Sequence, residues 1–204
     1  MIFKKPLFWD SKKQGIFSTI LFPFTILTNI NNFLLSISNK KINDKIFSIC
    51  VGNIYVGGTG KTPLAIKLYQ ILNKNHKGVV VGKKFYSSHN DEINLLKKKV
   101  HTLIRNKRSL IIQEAIKKNK KIIIFDDGLQ DKALKYDLNF VCFDTLNWIG
   151  NGNLMPAGPL REKINSLKKF DAVFLKNISK PNNKIIRTIK KINPKIQIFN
   201  TRYK

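Results

Sequence analysis

The run Val51-Gly52-Asn53-Ile54-Tyr55-Val56-Gly57-Gly58-Thr59-Gly60-Lys61-Thr62-Pro63 constrains this chain more than any other. An apolar stretch, Ile46 to Val51, feeds the glycine-rich segment, and helical spacing follows at Leu64, Ile66, Leu68, Ile71 and Leu72. Strand, loop and helix in that order make a phosphate-binding loop. The residues Gly57, Gly58, Thr59 and Gly60 free backbone N–H groups to face phosphate oxygens. Lys61 reaches the β- and γ-phosphates, the Thr62 hydroxyl is placed for Mg²⁺, and the following helix adds its positive dipole end. The strict G-x-x-x-x-G-K-[ST] pattern is not met, because Tyr55 stands where the first glycine belongs. A chance Gly-Lys-Thr in a surface turn leaves the flanking strand and helix unexplained.

A chain of 204 residues holds one α/β domain and a small second one. The formal net charge of +26 invites a nucleic-acid reading. The lysines, however, are scattered in short runs such as Lys97-Lys98-Lys99, without aromatic interleaving or a nucleic-acid motif. No nucleic-acid partner is expected; general attraction to anionic surfaces, phospholipid headgroups included, is. Cys50 and Cys142 each end an apolar run and read as small core residues. His76, His89 and His101 lack metal-ligand spacing.

Between Lys13 and Lys40 no residue is charged. Apolar residues recur at Phe17, Ile20, Phe24, Leu27, Ile30, Leu34 and Ile37, with Ser18, Thr25, Asn29, Asn32 and Ser36 opposite, which is helical spacing. Pro23 and the asparagines within 29–32 argue against a clean membrane span. No small-residue cleavage site marks a secretory signal. The pattern predicts a membrane-interfacial helix over 16–38, flanked by Lys12, Lys13, Lys40 and Lys41, with Trp9 beside Phe8 suited to the interface. The alternative is a core helix covering the sheet.

Further on, strands are expected at Val79 to Val81, Ile122 to Phe125 and Phe140 to Phe143, and helices at Ile93 to Val100 and Ser109 to Lys117. This rhythm predicts an α/β fold of the P-loop NTPase kind, a mostly parallel sheet flanked by helices. Asp126 and Asp127 close the Ile122–Phe125 strand at the sheet edge where ligands bind, and one such carboxylate can hold Mg²⁺. The competing reading is a plain Asp-Asp-Gly turn. Asn90-Asp91-Glu92 reads as a helix start, and spacing alone makes neither acid catalytic. Gly150 to Glu162, rich in Gly, Asn and Pro, is a structured loop in which Arg161 can grip a phosphate.

These four landmarks, in this order, resemble the tetraacyldisaccharide 4'-kinase family of Gram-negative bacteria. The resemblance runs from Lys5-Pro6-Leu7-Phe8-Trp9 to about Asp171-Ala172-Val173, and the Gly150–Glu162 stretch matches almost residue for residue. It implies transfer of the ATP γ-phosphoryl group to the 4'-hydroxyl of a lipid-linked glucosamine disaccharide 1-phosphate, a lipid A precursor. It also implies a peripheral enzyme on the cytoplasmic face of the inner membrane. By resemblance Lys61 and Thr62 hold ATP and Mg²⁺, and Asp91 aligns with the base acting on the sugar hydroxyl. Glu92, Asp126, Asp127 and Gln130 line the same site, while Arg161 and Glu162 lie near a domain junction. Asp126 is assigned with Thr62 to the metal, and Asp127 with Lys61 and Asp91 to catalysis.

The chain also departs from the family. Asp131 replaces the His that follows the Gln of the acidic motif, and the Arg-Gly-Tyr-Gly element is reduced to Lys83-Lys84-Phe85-Tyr86. The family runs on well past the position of Lys204 into most of a second domain, including a His that supports the catalytic Asp. The expected division is 1–41 for the interfacial helix region, 42–149 for the ATP-binding domain, and 150–204 for the junction and the start of an incomplete second α/β domain. Two alternatives are a partitioning-type P-loop ATPase and a non-catalytic, membrane-associated ATP-binding remnant.

Overall fold

The computed structural model describes residues 5–11, 15–37, 40–41, 45–87, 90–131, 134–176 and 182–202, with side chains of 35–37 and 40–41 left aside. Lys12, Lys13 and His89 lie outside the described residues, as do the side chains of Lys40 and Lys41. The chain divides into two compact units, 39–53 with 60–141 and 1–38 with 54–59 and 142–204.

The first of these is a parallel sheet of strands β2 (Phe47–Gly52), β3 (Val79–Lys84), β4 (Thr102–Arg105), β5 (Ile122–Asp126) and β7 (Leu138–Asp144), ordered β4-β3-β5-β2-β7. Two short strands, β1 (Lys40–Lys41) and β6 (Leu134–Lys135), pair separately. The central strands are apolar along their length because a parallel sheet covered by helices buries both faces. Ile49, Cys50, Val51, Val80, Val81, Ile123, Ile124 and Phe125 are all buried. Helix α3 (Lys61–Asn75) packs on β2, β3 and β5, and α5 (Arg108–Lys117) on β3 and β4. Helix α4 (Asn90–Lys99) precedes β4. Register sets the site: Val51 of β2 and Lys83 of β3 both pair with Asp126 of β5. The ends of three strands therefore meet at the carboxyl edge.

Compared with the expectations, β3 runs to Lys84 instead of stopping at Val81, and β5 includes Asp126. β4 is not expected from the sequence, because four residues of Thr-Leu-Ile-Arg carry little periodic signal. Cys50 and Cys142 are buried thiols, joined in no disulfide among the described residues, and they pack in the core as expected.

The other unit holds the end of β7, β8 (Ala172–Lys176), α6 (Asn183–Ile192) and β9 (Gln197–Thr201), with β8 and β9 parallel. It also holds the charge-free segment, which forms α1 (Ile16–Leu21), a 3-10 turn at Phe22–Phe24 containing Pro23, and α2 (Thr25–Ile37). Its orientation is inverted relative to a core helix. Phe17 is 68% exposed, Ile20 62% and Leu27 66%, while Ser18 and Thr25 are buried. Polar side chains grip the 150–162 loop: Ser18 Oγ donates to the Ala157 carbonyl at 2.8 Å, Thr28 Oγ1 to Met155 at 2.6 Å, and Asn32 Nδ2 to Arg161 at 2.9 Å. Asn151 Nδ2 donates across its own loop to the Ala157 carbonyl at 2.9 Å, and Asn153 Nδ2 to Ser18 Oγ at 2.9 Å.

Trp9 is a correction. It is buried, with its indole N–H on the Pro156 carbonyl at 2.9 Å, so it belongs to the packing of this loop and not to an interface. Its own carbonyl accepts from Asn151 N, next to Gly150, which holds φ +58°. A Cβ at Gly150 would collide with the Trp9 carbonyl oxygen. Gly150→Ala should therefore destabilise the protein by about 1–3 kcal/mol, the cost of a residue forced into a sparsely populated backbone region. Urea unfolding measures this, and an unchanged midpoint would contradict the close approach.

Candidate functional site

The phosphate-binding loop turns where its glycines allow. Gly57 has φ +139° and Gly60 φ +86°, conformations that side-chain-bearing residues rarely adopt. Gly58 faces open space. Tyr55, in the place of the missing glycine, has a structural task. Its ring is buried with Leu154 and Leu160, and its hydroxyl donates to Asp10 and accepts from Lys5 Nζ at 2.7 Å. Val56 N donates to the Pro159 carbonyl at 2.9 Å, and Arg161 N to that of Ile54 at 2.7 Å. The front of the loop is thus pinned by the 150–162 stretch instead of by a tight glycine turn. Thr59 is buried, and its hydroxyl has no hydrogen-bond partner among the described residues.

Gly60 precedes α3, whose first residues are Lys61 and Thr62. Lys61 Nζ lies 3.9 Å from Asp127 Oδ2. Thr62 Oγ1 donates to Asp126 Oδ2 at 2.8 Å, joining the first turn of α3 to the end of β5. Asp126 is buried, and its other oxygen, Oδ1, has no hydrogen-bond partner among the described residues. Burial pushes the Asp126 carboxyl upward in pKa, against the pull of Lys83 and Thr62. Asp127 follows with φ +63°, its N–H on the Val51 carbonyl at 2.8 Å. Gln130 Nε2 donates to the Asn53 carbonyl at 2.7 Å, tying the acidic turn to the residue before the loop.

Lys61, Thr62, Glu92, Asp126, Asp127 and Gln130 thus fall in one unit. Asp91 opens α4 there, with its side chain exposed. Arg161 and Glu162 belong to the other unit, as do Gly57, Gly58 and Thr59. Arg161 is held through its backbone, and Glu162 is buried.

Two residues of this cluster carried no functional reading in the sequence. Lys83, 2% exposed, sits between Asp126 Oδ2 at 2.6 Å and Glu92 Oε2 at 2.5 Å. Burial works against its charge, but the two carboxylates outweigh burial and raise its pKa. A lysine within an apolar strand is the signal that was available, since buried lysines are almost always paired. Arg108, at the start of α5, donates Nη1 to Asp131 Oδ2 at 2.8 Å and Nη2 to the Asp127 carbonyl. Asp131, the departure from the family His, is therefore the partner of an arginine that clamps the acidic turn.

A strand-loop-helix element with a lysine, a threonine hydroxyl and a buried carboxylate at the sheet's carboxyl edge places the chain in the P-loop class of α/β folds. The model of the tetraacyldisaccharide-1-P 4'-kinase family matches residues 17–204, and the chain belongs to that family. Its curated relatives include a tetraacyldisaccharide 4'-kinase of Pelagibacter ubique, 49% identical over 203 residues, which are all of this chain and 64% of the relative. One of Rickettsia bellii is 35% identical over 83% of this chain and 58% of its own length. The chain thus spans about three-fifths of these relatives. Among solved structures, LpxK from Aquifex aeolicus in complex with ATP superposes with a TM-score of 0.66 at 21% identity, covering 92% of this chain and 82% of that one. Signal recognition particle 54 kDa protein from Aeropyrum pernix in complex with GDP gives 0.53 at 13% identity, over 87% and 47%. At these identities the two share the fold. The family match does not favour a partitioning-type ATPase.

Arg108→Ala should cost about 1.5–3 kcal/mol in urea unfolding and speed amide exchange across 126–131, because it deletes charged hydrogen bonds. Asp131→Asn leaves the bond to the Asp127 carbonyl and should cost less. Equal losses would shift the contribution from the carbonyl to the Asp131 side.

Proposed function

We propose that this chain carries the nucleotide-binding and phosphoryl-transfer part of a kinase. The donor is ATP, and the acceptor is the 4'-hydroxyl of a tetraacylated glucosamine disaccharide 1-phosphate, the lipid A precursor that the family name implies. The observation that carries the reading is the union of Lys61, Thr62 and Asp126 at the edge of the sheet, within a chain of this family. Phosphoryl transfer asks the protein for positioning and for neutralisation of charge on the moving phosphate oxygens. Lys61 supplies a cation at the head of α3, where the helix dipole has the same sign.

Thr62 Oγ1 and Asp126 are hard oxygen donors that suit Mg²⁺, and Asp126 Oδ1, without a hydrogen-bond partner among the described residues, is a buried acceptor that a cation would satisfy. Bound there, Mg²⁺ would offset phosphate charge. Asp127 faces Lys61 and orients it. Asp91 is exposed at the first turn of α4, open to an acceptor hydroxyl, and a carboxylate there can orient that hydroxyl and take its proton. Glu92, Gln130, Arg161 and Glu162 are assigned to holding the surrounding segments.

The test is transfer of labelled γ-phosphate from ATP to the disaccharide 1-phosphate. It is run with these 204 residues and with the same residues joined to the part of the Pelagibacter relative that this chain does not span. Lys61→Ala should remove most turnover. Asp91→Asn should lower kcat on the order of 10²-fold with little change in ATP affinity. A kcat within a few-fold of the parent would leave Asp91 as a helix cap, and no transfer from either parent would overturn the kinase reading.

The same reading places the protein peripherally on the cytoplasmic face of the inner membrane, through α1 and α2. Among the described residues one helical stretch, Ile16–Leu34, is long and apolar enough to cross a membrane. Its apolar side is presented outward while its polar side holds the 150–162 loop, which supports lying on a lipid surface. Deleting the helices would remove the partners of that loop, so the sharper test substitutes exposed residues. The double variant Phe17→Glu, Ile20→Glu should keep its melting temperature and lose co-sedimentation with anionic vesicles. Undiminished sedimentation would overturn the interfacial role.

A further inference from the structure

Lys83 has no part in the phosphoryl transfer described above, yet it is the most thoroughly buried cation of the cluster. It lies opposite Asp126 in the β3–β5 register. Its Nζ donates to Asp126 Oδ2, the same oxygen that accepts from Thr62 Oγ1, and to Glu92 Oε2 in the first turn of α4. The carboxylate assigned to a divalent cation therefore already has a cation on it.

We propose that the Lys83 ammonium is a resident counter-cation, holding Asp126 and Glu92 together and competing with the divalent cation for Asp126. The proposal rests on the nucleotide and Mg²⁺ reading above, which makes Asp126 a metal ligand. Two carboxylates converging on one point repel, and Asp126 is desolvated, so without a cation the pair is costly. An ammonium suits the place because it has three donors on a flexible stem and can serve both acids at once.

The consequence is a brake on the metal. A divalent cation at Asp126 must approach the Lys83 charge or drive it towards Glu92, whose side chain is 46% exposed. Either costs affinity while no phosphate is present. Bound nucleotide phosphates add negative charge that offsets the ammonium, so the cation is favoured together with the nucleotide and disfavoured alone.

Mn²⁺ is the probe. Free Mn²⁺ is counted by electron paramagnetic resonance at pH 8 for the parent chain, Lys83→Met and Lys83→Gln, with and without ADP. Both variants remove the charge, and the glutamine keeps a donor for Asp126, so it is read if the methionine variant is unfolded by circular dichroism. Without nucleotide the variants should bind Mn²⁺ about tenfold tighter or more, as expected for deleting a positive charge within a few ångströms of the ion. With ADP the gap should shrink. Equal Mn²⁺ affinity in the folded variants overturns the proposal. ADP binding is read on the same samples, and its absence from the parent would overturn the nucleotide reading and this one with it.

Discussion

The buried carboxylate of Asp126 is the point on which the site depends. It ends the central run of β5, and the sheet register sets Val51 and Lys83 beside it. Thr62 reaches it from the head of α3 and Lys83 from β3, so two strands and a helix are joined through one oxygen. A desolvated charge is tolerated only with partners, and each of them is itself functional in type: a hydroxyl suited to a metal and a lysine. Its second oxygen has no hydrogen-bond partner among the described residues, which suits a cation there. Arg108 and Gln130 then hold the turn that follows, from opposite ends of the Asp127–Gln130 stretch.

The second organising feature lies within the other unit, where an N-terminal helix pair is attached by its polar residues. Ser18, Thr28 and Asn32 bond to backbone carbonyls of the 150–162 loop, and Trp9 closes its other side. The loop's asparagines serve the same contacts, which explains a segment rich in Gly, Asn and Pro without assigning every residue to chemistry. Holding a helix by hydrogen bonds frees its apolar side, whereas holding it by apolar packing would hide that side. The same loop pins Tyr55 and Val56, so a glycine-poor entrance to the phosphate loop is compatible with its turn.

Where sequence and structure differ, the cause is long-range. The sequence pattern ends strand β3 at Val81 and leaves Lys83 in a worn motif; the carboxylates that justify a lysine there, partly exposed Glu92 and buried Asp126, stand 9 and 43 positions away. Local pattern leaves Arg108 just outside a helix and makes Asp131 a bare departure from the motif, though the two are partners. Residue type suits Trp9 to a lipid interface, whereas its hydrogen bond to Pro156 depends on a segment 147 residues along the chain.

The sequence alone determined the strand-loop-helix element, the parallel α/β architecture, the Asp126-Asp127 pair at a strand end and the amphipathic N-terminal stretch. All of these rest on local periodicity, glycine placement and residue spacing, which act over a few residues. Tertiary structure alone decided which side of the N-terminal helices faces inward and which oxygen of Asp126 is engaged. It also decided that Lys83 and Arg108 belong to the site. Those outcomes depend on the register of β3 against β5 and on loop carbonyls far away in the chain, and no local pattern encodes a partner that folding alone brings within hydrogen-bond distance.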